Sequence, residues 1–405
     1  QFRARLREAG IDITGAHVQD ELNLGNAKFD FDVTLARTRF DKRLNLRAIE
    51  TSRNLKLTGS SFLGSQPGDA LDLAGAKIGG SLDMNGVVAR GHVNMDSLQL
   101  GGDLSAQHGR FTSIWLANAK IGGQMDISDS MVNGDLQLRS LSVDKSLWMR
   151  NAVFTRVWLT SAAVGGDLAL EGPNNVGFKD CPNQKRNEPR PAWEAQRVDL
   201  SAATVKGRLI FGSDCYGRFD AETNWGHEAT LDLRNTSVHV LEDGVSCPET
   251  EPECSNTWPA VLMLDGFTYD KFGSSSSDAG AAMTSRPVSW WLAWLQSQDS
   301  RIYHSQPYQH LAELFTLYGN RPYAVEVLMA AKERELLANH YPRLLVWLYW
   351  ALSGFGYKLH FVLIWVITFV FMGAAMLRMS GQGASNQMPY GLAYSFDLLL
   401  PIVKL

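Results

Sequence analysis

Apolar residues recur in this chain on an eleven-residue period, and few folds accept one period over so many copies. Each unit carries apolar side chains at offsets 0 and 2, a small residue at 5 and another apolar residue at 7. Ile11, Ile13, Ala16 and Val18 form the first unit, and Leu22, Leu24, Ala27 and Phe29 the second. Val33, Leu35 and Phe40 follow, then Leu44/Leu46 and Leu55/Leu57. After a Gly/Pro break at 63–69 the first position returns at Leu71, Leu82, Val93 and Leu104. With a slip of one it continues through Ile114, Met125, Leu136, Leu147, Val157 and Leu168. Later copies stand at Val198/Leu200, Leu231/Leu233 and Leu262/Leu264.

An apolar pair two residues apart makes a strand of two or three residues with one face turned inward. Strands this short bury that face only by stacking on copies of themselves, at a spacing of ~4.8 Å. Two elevens then make one coil of about 22 residues, and residues 1–272 read as a parallel β-solenoid, a β-helix of right-handed wind. Gly79-Gly80, Gly101-Gly102, Gly122-Gly123, Asn133-Gly134 and Gly165-Gly166 are expected to supply left-handed corners. The competing β-sandwich wants hairpin turns and variable spacing, which strict elevens do not offer.

The 405 residues suffice for two or three domains. With 38 basic and 42 acidic side chains the net charge is −4, so the basic excess that nucleic-acid binding requires is missing. No nucleotide, metal-protease, CxxC or nucleophile-elbow motif appears, the nine His show no ligand spacing, and no cofactor is expected. Polar insertions at 172–197, 212–228 and 243–259 interrupt the repeat and hold all four cysteines, Cys181, Cys215, Cys247 and Cys254. These read either as unpaired thiols or, for Cys247 and Cys254, as a disulfide in an oxidising compartment.

Outward residues between the apolar pairs sort into two columns. One runs Asp83, Ser105, Asp126, Trp148, Ala169; the other runs Asp72, Asn94, Trp115, Gln137, Trp158. Asp83 and Asp126, two coils or ~9.6 Å apart, are the best carboxylate pair for glycoside chemistry, against the plainer reading of solvated strand aspartates. Trp115, Trp148 and Trp158 are candidate binding residues, because an outward Trp exposes a large apolar area unless something covers it. The covering element would be an insertion, with Trp193 the candidate, or else a partner.

After a Gly/Ser-rich stretch at 273–286, read as a flexible linker, the period changes from two to 3.6. Residues 287–342 predict a helix with Trp290, Trp291, Trp294 and Leu295 on one face, then a helical hairpin broken at Gly319-Asn320-Arg321-Pro322. This region is expected to close the open end of the solenoid or to meet a partner. Residues 343–405 read as a membrane region. The segment 359–377 holds no Asp, Glu, Lys or Arg over 19 residues, enough to cross the hydrocarbon core. The Trp/Tyr-rich 344–357 is too short to span and predicts an interfacial helix. Lys332, Arg334, Arg343 and Lys358 precede the span and Arg378 follows it, which places the solenoid in the cytoplasm by the positive-inside rule; a Cys247–Cys254 disulfide would place it in the periplasm.

WPAVLMLDGFTYDKF at 258–272, WWLAWL at 290–295, QPYQHLAELFTLYG at 306–319, GFGYK at 354–358 and YSFDLLLPIVKL at 394–405 together resemble bacterial proteins labelled membrane-associated oxidoreductases. The resemblance implies a pentapeptide-like solenoid, a helical hairpin and a membrane region of about two spans, so sequence is expected to continue beyond Leu405, as it is expected before Gln1. It implies no catalytic residue that transfers here, and GFGYK departs from the more usual GYGYR. Three functions follow. The first is a scaffold at the bacterial inner membrane, with the lipid bilayer and a protein partner, or a second copy, as its contacts. The second is an enzyme, redox or glycan-active; the third is an oligomeric, channel-like assembly.

Overall fold

The computed structural model describes residues 10–64, 68–170, 196–211, 229–243, 258–259, 261–273, 283–284, 286–298 and 302–380, with Leu392 and Ser395. Two compact units divide it, Gln1–Ser300 and Arg301–Leu405. All four cysteines, Trp193 and the Cys247–Cys254 pairing lie outside the described residues, as do most of 273–286 and nearly all of the segment after residue 380.

In the first unit the apolar pair and the offset-7 residue of each eleven both fall on short strands, which merge into one at a corner of the later coils, as in Val88–Asn94 and Met131–Gln137, so four strand rows run along a parallel β-solenoid. One row pairs Ile11, Val33, Leu55, Leu82, Leu104, Met125, Leu147 and Leu168 in succession. Another pairs Leu22, Leu44, Leu71, Val93, Ile114, Leu136, Val157, Val198, Leu231 and Leu262. The two offset-7 rows hold Phe40, Phe62, Phe111 and Phe154 in one, and Ile78, Leu100, Ile121 and Val143 in the other. Phe40 and Phe62 stack at 5.1 Å. From Val33 onward these inward side chains are buried, each contributing about 1.5–3 kcal/mol before chain entropy is counted. The break at 63–69 does not interrupt the rows, because Leu44 pairs directly with Leu71.

The corners differ from expectation. None of the Gly-Gly residues has a positive φ; the left-handed corner positions are Asn26, Arg37, Ala48, Gly59, Gly75, Gly86, Ser97, His108, Asn118 and their later equivalents. The non-glycine ones bear a cost of about 1–2 kcal/mol, offset where the N–H donates to the next coil, as from Ala48 to Ala74 at 2.9 Å and from Ser97 to Ala117 at 2.8 Å. Gly-Gly occupies another corner for a steric reason. A Cβ on Gly79 would lie 2.6 Å from the Ser52 carbonyl oxygen, and one on Gly122 2.7 Å from that of Gly101.

Helix α1 (Val288–Gln296) closes the C-terminal end of the solenoid. Trp291 stacks on Phe272 at 4.6 Å, and Trp294 meets the edge of Trp258 at 5.4 Å, which in turn lies on Phe211 at 4.9 Å.

The second unit begins with α2 (Gln306–Leu317) and α3 (Arg321–Ala338), antiparallel across Gly319. Phe315 meets Tyr323 edge-on at 5.6 Å, and Arg334 donates to the Tyr308 hydroxyl at 3.0 Å. Asn320 caps α3 by accepting from the Tyr323 N–H. Helix α4 (Arg343–Ser353) ends four residues earlier than the sequence pattern suggests, because Gly354 and Phe355 both turn left-handed at φ 55°. Phe355 tolerates this strain because it is anchored, buried with Met329 and Val346. Helix α5 (Leu359–Met379) contacts α4 where the Trp365 indole donates to the Ala351 carbonyl at 2.9 Å. Its stretch His360–Met379 is long and apolar enough to cross a membrane, and none of it is buried within the protein.

Candidate functional site

Strand register decides which outward residues share a surface. Asn94, Trp115, Gln137, Trp158 and Asp199 pair in succession, so Trp115 and Trp158 stand in one row with Gln137 between them. Trp148 belongs to the other sheet, between Asp126 and Ala169, and does not join them. Its ring is covered by the Arg150 guanidinium at 4.0 Å.

Trp115 and Trp158 are half-buried. His92 stacks on Trp115 at 4.8 Å and contacts the Ser113 hydroxyl. Trp158 has an arginine from either side: Arg139 of the preceding coil at 4.8 Å and Arg197 of the following coil at 5.0 Å. Its indole N–H has no hydrogen-bond partner among the described residues. Arg156, two residues before Trp158 on the same strand, pairs with Asp135 at 2.6 Å. The result is a surface of arginine and tryptophan, with Arg197 also 3.9 Å from Asp199, on a backbone fixed by parallel pairing from both neighbouring coils. Each arginine–indole contact contributes about 0.5–1 kcal/mol where solvent reaches it.

The carboxylates in the columns serve the corners. Asp83 accepts the Asn85 N–H at 3.0 Å, and Asp126 that of Ser128 at 2.9 Å; Asp72, Asp199 and Asp232 do the same two residues on. Each turns the chain toward a left-handed corner by satisfying a backbone donor. Register does place Asp83, Ser105 and Asp126 in one row. Ser105, however, donates to Asn85, and Asp126 takes a further bond from the Gln107 amide. Among the described residues no group of three His, Cys, Asp or Glu side chains could hold a metal ion.

One open groove lies on a row that the outward columns leave out. Lys28, Glu50, Lys77, Gln99 and Lys120 precede the offset-7 residues and pair in succession. They border a groove of about 1030 Å³ whose apolar lining is Phe29, Phe31, Ile78 and Leu100. Glu50 bridges Lys28 at 2.6 Å and Lys77 at 3.4 Å. The hydrogen bond from Lys28 holds its carboxyl below the ordinary glutamate range. The sequence signal is the residue before each offset-7 position, read one coil at a time.

Compared with known proteins, the chain matches no protein-family model, no curated protein and no solved structure. Its functional reading therefore rests on geometry and chemistry.

Proposed function

We propose that this protein is a membrane-anchored scaffold: a right-handed solenoid of about 22 residues per coil, held at the bacterial inner membrane by α5, that presents its Trp115–Trp158 face to a protein partner. The observation that carries the reading is Trp158, held between Arg139 and Arg197 from the two adjoining coils. Tryptophan and arginine dominate binding energy at protein interfaces, and groups already fixed before contact lose little entropy on binding. The corner duty of Asp83 and Asp126 favours binding over glycan chemistry at that row. The excess of basic residues before α5 supports a cytoplasmic solenoid by the positive-inside rule.

A photoreactive residue at position 137, between the two tryptophans, tests this in intact cells carrying the full chain. The expected result is one protein adduct that disappears with Trp158→Ala and persists with Trp148→Ala. Labelling of lipids alone, or an adduct indifferent to Trp158→Ala, would overturn the scaffold reading; an adduct to a second copy would assign the face to self-association. Protease added to spheroplasts should leave the solenoid intact, and digestion would reverse its side.

A further inference from the structure

The geometry of a second groove, between α3 and α4, points to a site for the headgroup of a zwitterionic phospholipid, with phosphate on Arg343 and ammonium on Glu333. The groove has a volume of about 620 Å³. One stripe of each helix lines it: Glu333 and Leu337 from α3, and Arg343, Val346, Trp347 and Trp350 from α4. Residues three and four apart share a helix face, so both stripes follow from sequence spacing. Phe355, buried against Met329 and Val346, also lines the groove.

The charges select the ligand. Neighbouring ions on α3 are satisfied within the protein, Lys332 by Glu335 at 3.0 Å and Arg334 by the Tyr308 hydroxyl at 3.0 Å. Among the described residues the Glu333 and Arg343 side chains make no ion pair or hydrogen bond, with each other or with anything else. An anion and a cation facing one apolar-walled groove without pairing complement a ligand that carries both charges. A guanidinium fits a phosphate with two parallel hydrogen bonds, and an ammonium is met by a carboxylate and by indole faces. A soluble zwitterion has the same charged ends. What commits the groove to a lipid is its continuity with apolar surface: Leu344, Leu345 and Trp347 of α4 are more than half exposed, and α5 follows directly. The inference rests on reading α5 as membrane-embedded.

The test uses the full-length protein in mild detergent, with native mass spectrometry after titration of phosphatidylethanolamine, phosphatidylcholine or phosphatidylglycerol. The two zwitterionic lipids should be retained about fivefold over phosphatidylglycerol, the discrimination that one exposed charge contact gives. Glu333→Gln should erase that preference, and Arg343→Gln should reduce retention of all three. Both side chains are exposed, so these variants keep the fold, which circular dichroism checks. Equal retention of the three lipids, or a preference unchanged in both variants, overturns the site. Displacement of phosphatidylethanolamine by equimolar O-phosphoethanolamine overturns the lipid assignment in favour of a soluble ligand. Alkaline carbonate washing of membranes separates the two failures: release of the chain sinks the membrane reading itself, whereas a retained chain without headgroup preference sinks only the groove.

Discussion

Arg286 forms a bidentate ion pair with Asp243, Nη1 to Oδ2 at 2.8 Å and Nη2 to Oδ1 at 2.5 Å, with both side chains fully buried. The same carboxylate accepts the Trp258 indole N–H at 3.0 Å, and Trp290 lies under the guanidinium at 4.3 Å. The pair fastens the segment two residues before α1 to the last coils of the solenoid. Removing one partner leaves a buried charge unmatched, which costs about 3–5 kcal/mol. Arg286→Ala should therefore lower the thermal midpoint sharply, and Asp243→Asn/Arg286→Met should recover much of the loss. A double variant no better than Arg286→Ala would show that the site does not tolerate apolar replacement.

That pair also marks where sequence reading stops. The solenoid was legible because its determinants repeat: Leu22, Leu44 and Leu71 announce one row without knowledge of any other. Arg286 sits at the end of a Gly/Ser-rich stretch read as a linker, and its partner is 43 residues away, where no local pattern links them. The site was legible to the same extent. Spacing placed Trp115 and Trp158 together, but Arg139 and Arg197 lie two residues beyond and before the outward column, so only register reveals them. The four Gly-Gly pairs do stand between strands but were explained wrongly, since close approach of coils and left-handed φ both select glycine; Asn133-Gly134, expected at a corner, lies instead inside the strand Met131–Gln137, at a register shift.

Those two causes make opposite predictions for one pair of residue types. Gly122→Ala forces a Cβ to 2.7 Å from a backbone oxygen of the preceding coil, and a backbone neighbour cannot rotate away. A loss of about 1–3 kcal/mol is expected, as for overpacking. Ala48→Gly, at φ 53°, relieves left-handed strain worth about 1–2 kcal/mol, less the entropy that glycine costs, and should be neutral or stabilising. Chemical denaturation of both variants checks this. Equal losses would overturn the assignment of close coil approach to one corner and left-handed strain to the other.

If Asp83 and Asp126 act as corner caps, the acceptor oxygen matters and the charge does not. Asp83→Asn and Asp126→Asn keep a carbonyl oxygen for the backbone donor and should shift stability by less than about 0.5 kcal/mol, whereas the alanine variants should each lose about 1 kcal/mol, the worth of such a cap. Thermal melts of the four variants are sufficient. Asparagine variants as damaged as the alanine ones would show that the carboxylate charge itself is needed at these positions.

Asp167 gives the fold an acid-sensitive staple. It accepts the Arg208 backbone N–H at 2.8 Å and pairs with its guanidinium at 2.7 Å, joining the coils before and after the insertion at 172–197. Burial disfavours its charge, but the side-chain and backbone bonds from Arg208 outweigh burial and hold the carboxyl below the ordinary aspartate range. Because the folded value lies below the unfolded one, near 3.9, the charged pair stabilises fully above that pH and loses its contribution as pH falls through the folded value. Asp167→Asn keeps the backbone acceptor and removes the charge. Its deficit at pH 7 should be about 1.5–3 kcal/mol, the range for a hydrogen bond to a charged group. That deficit should shrink steadily below pH ~3.9, because the remaining carboxylates titrate alike in both proteins. Parallel denaturation series from pH 7 to pH ~2.5 measure the gap, and one that stays constant would mean that the Arg208 contact contributes packing and geometry rather than charge.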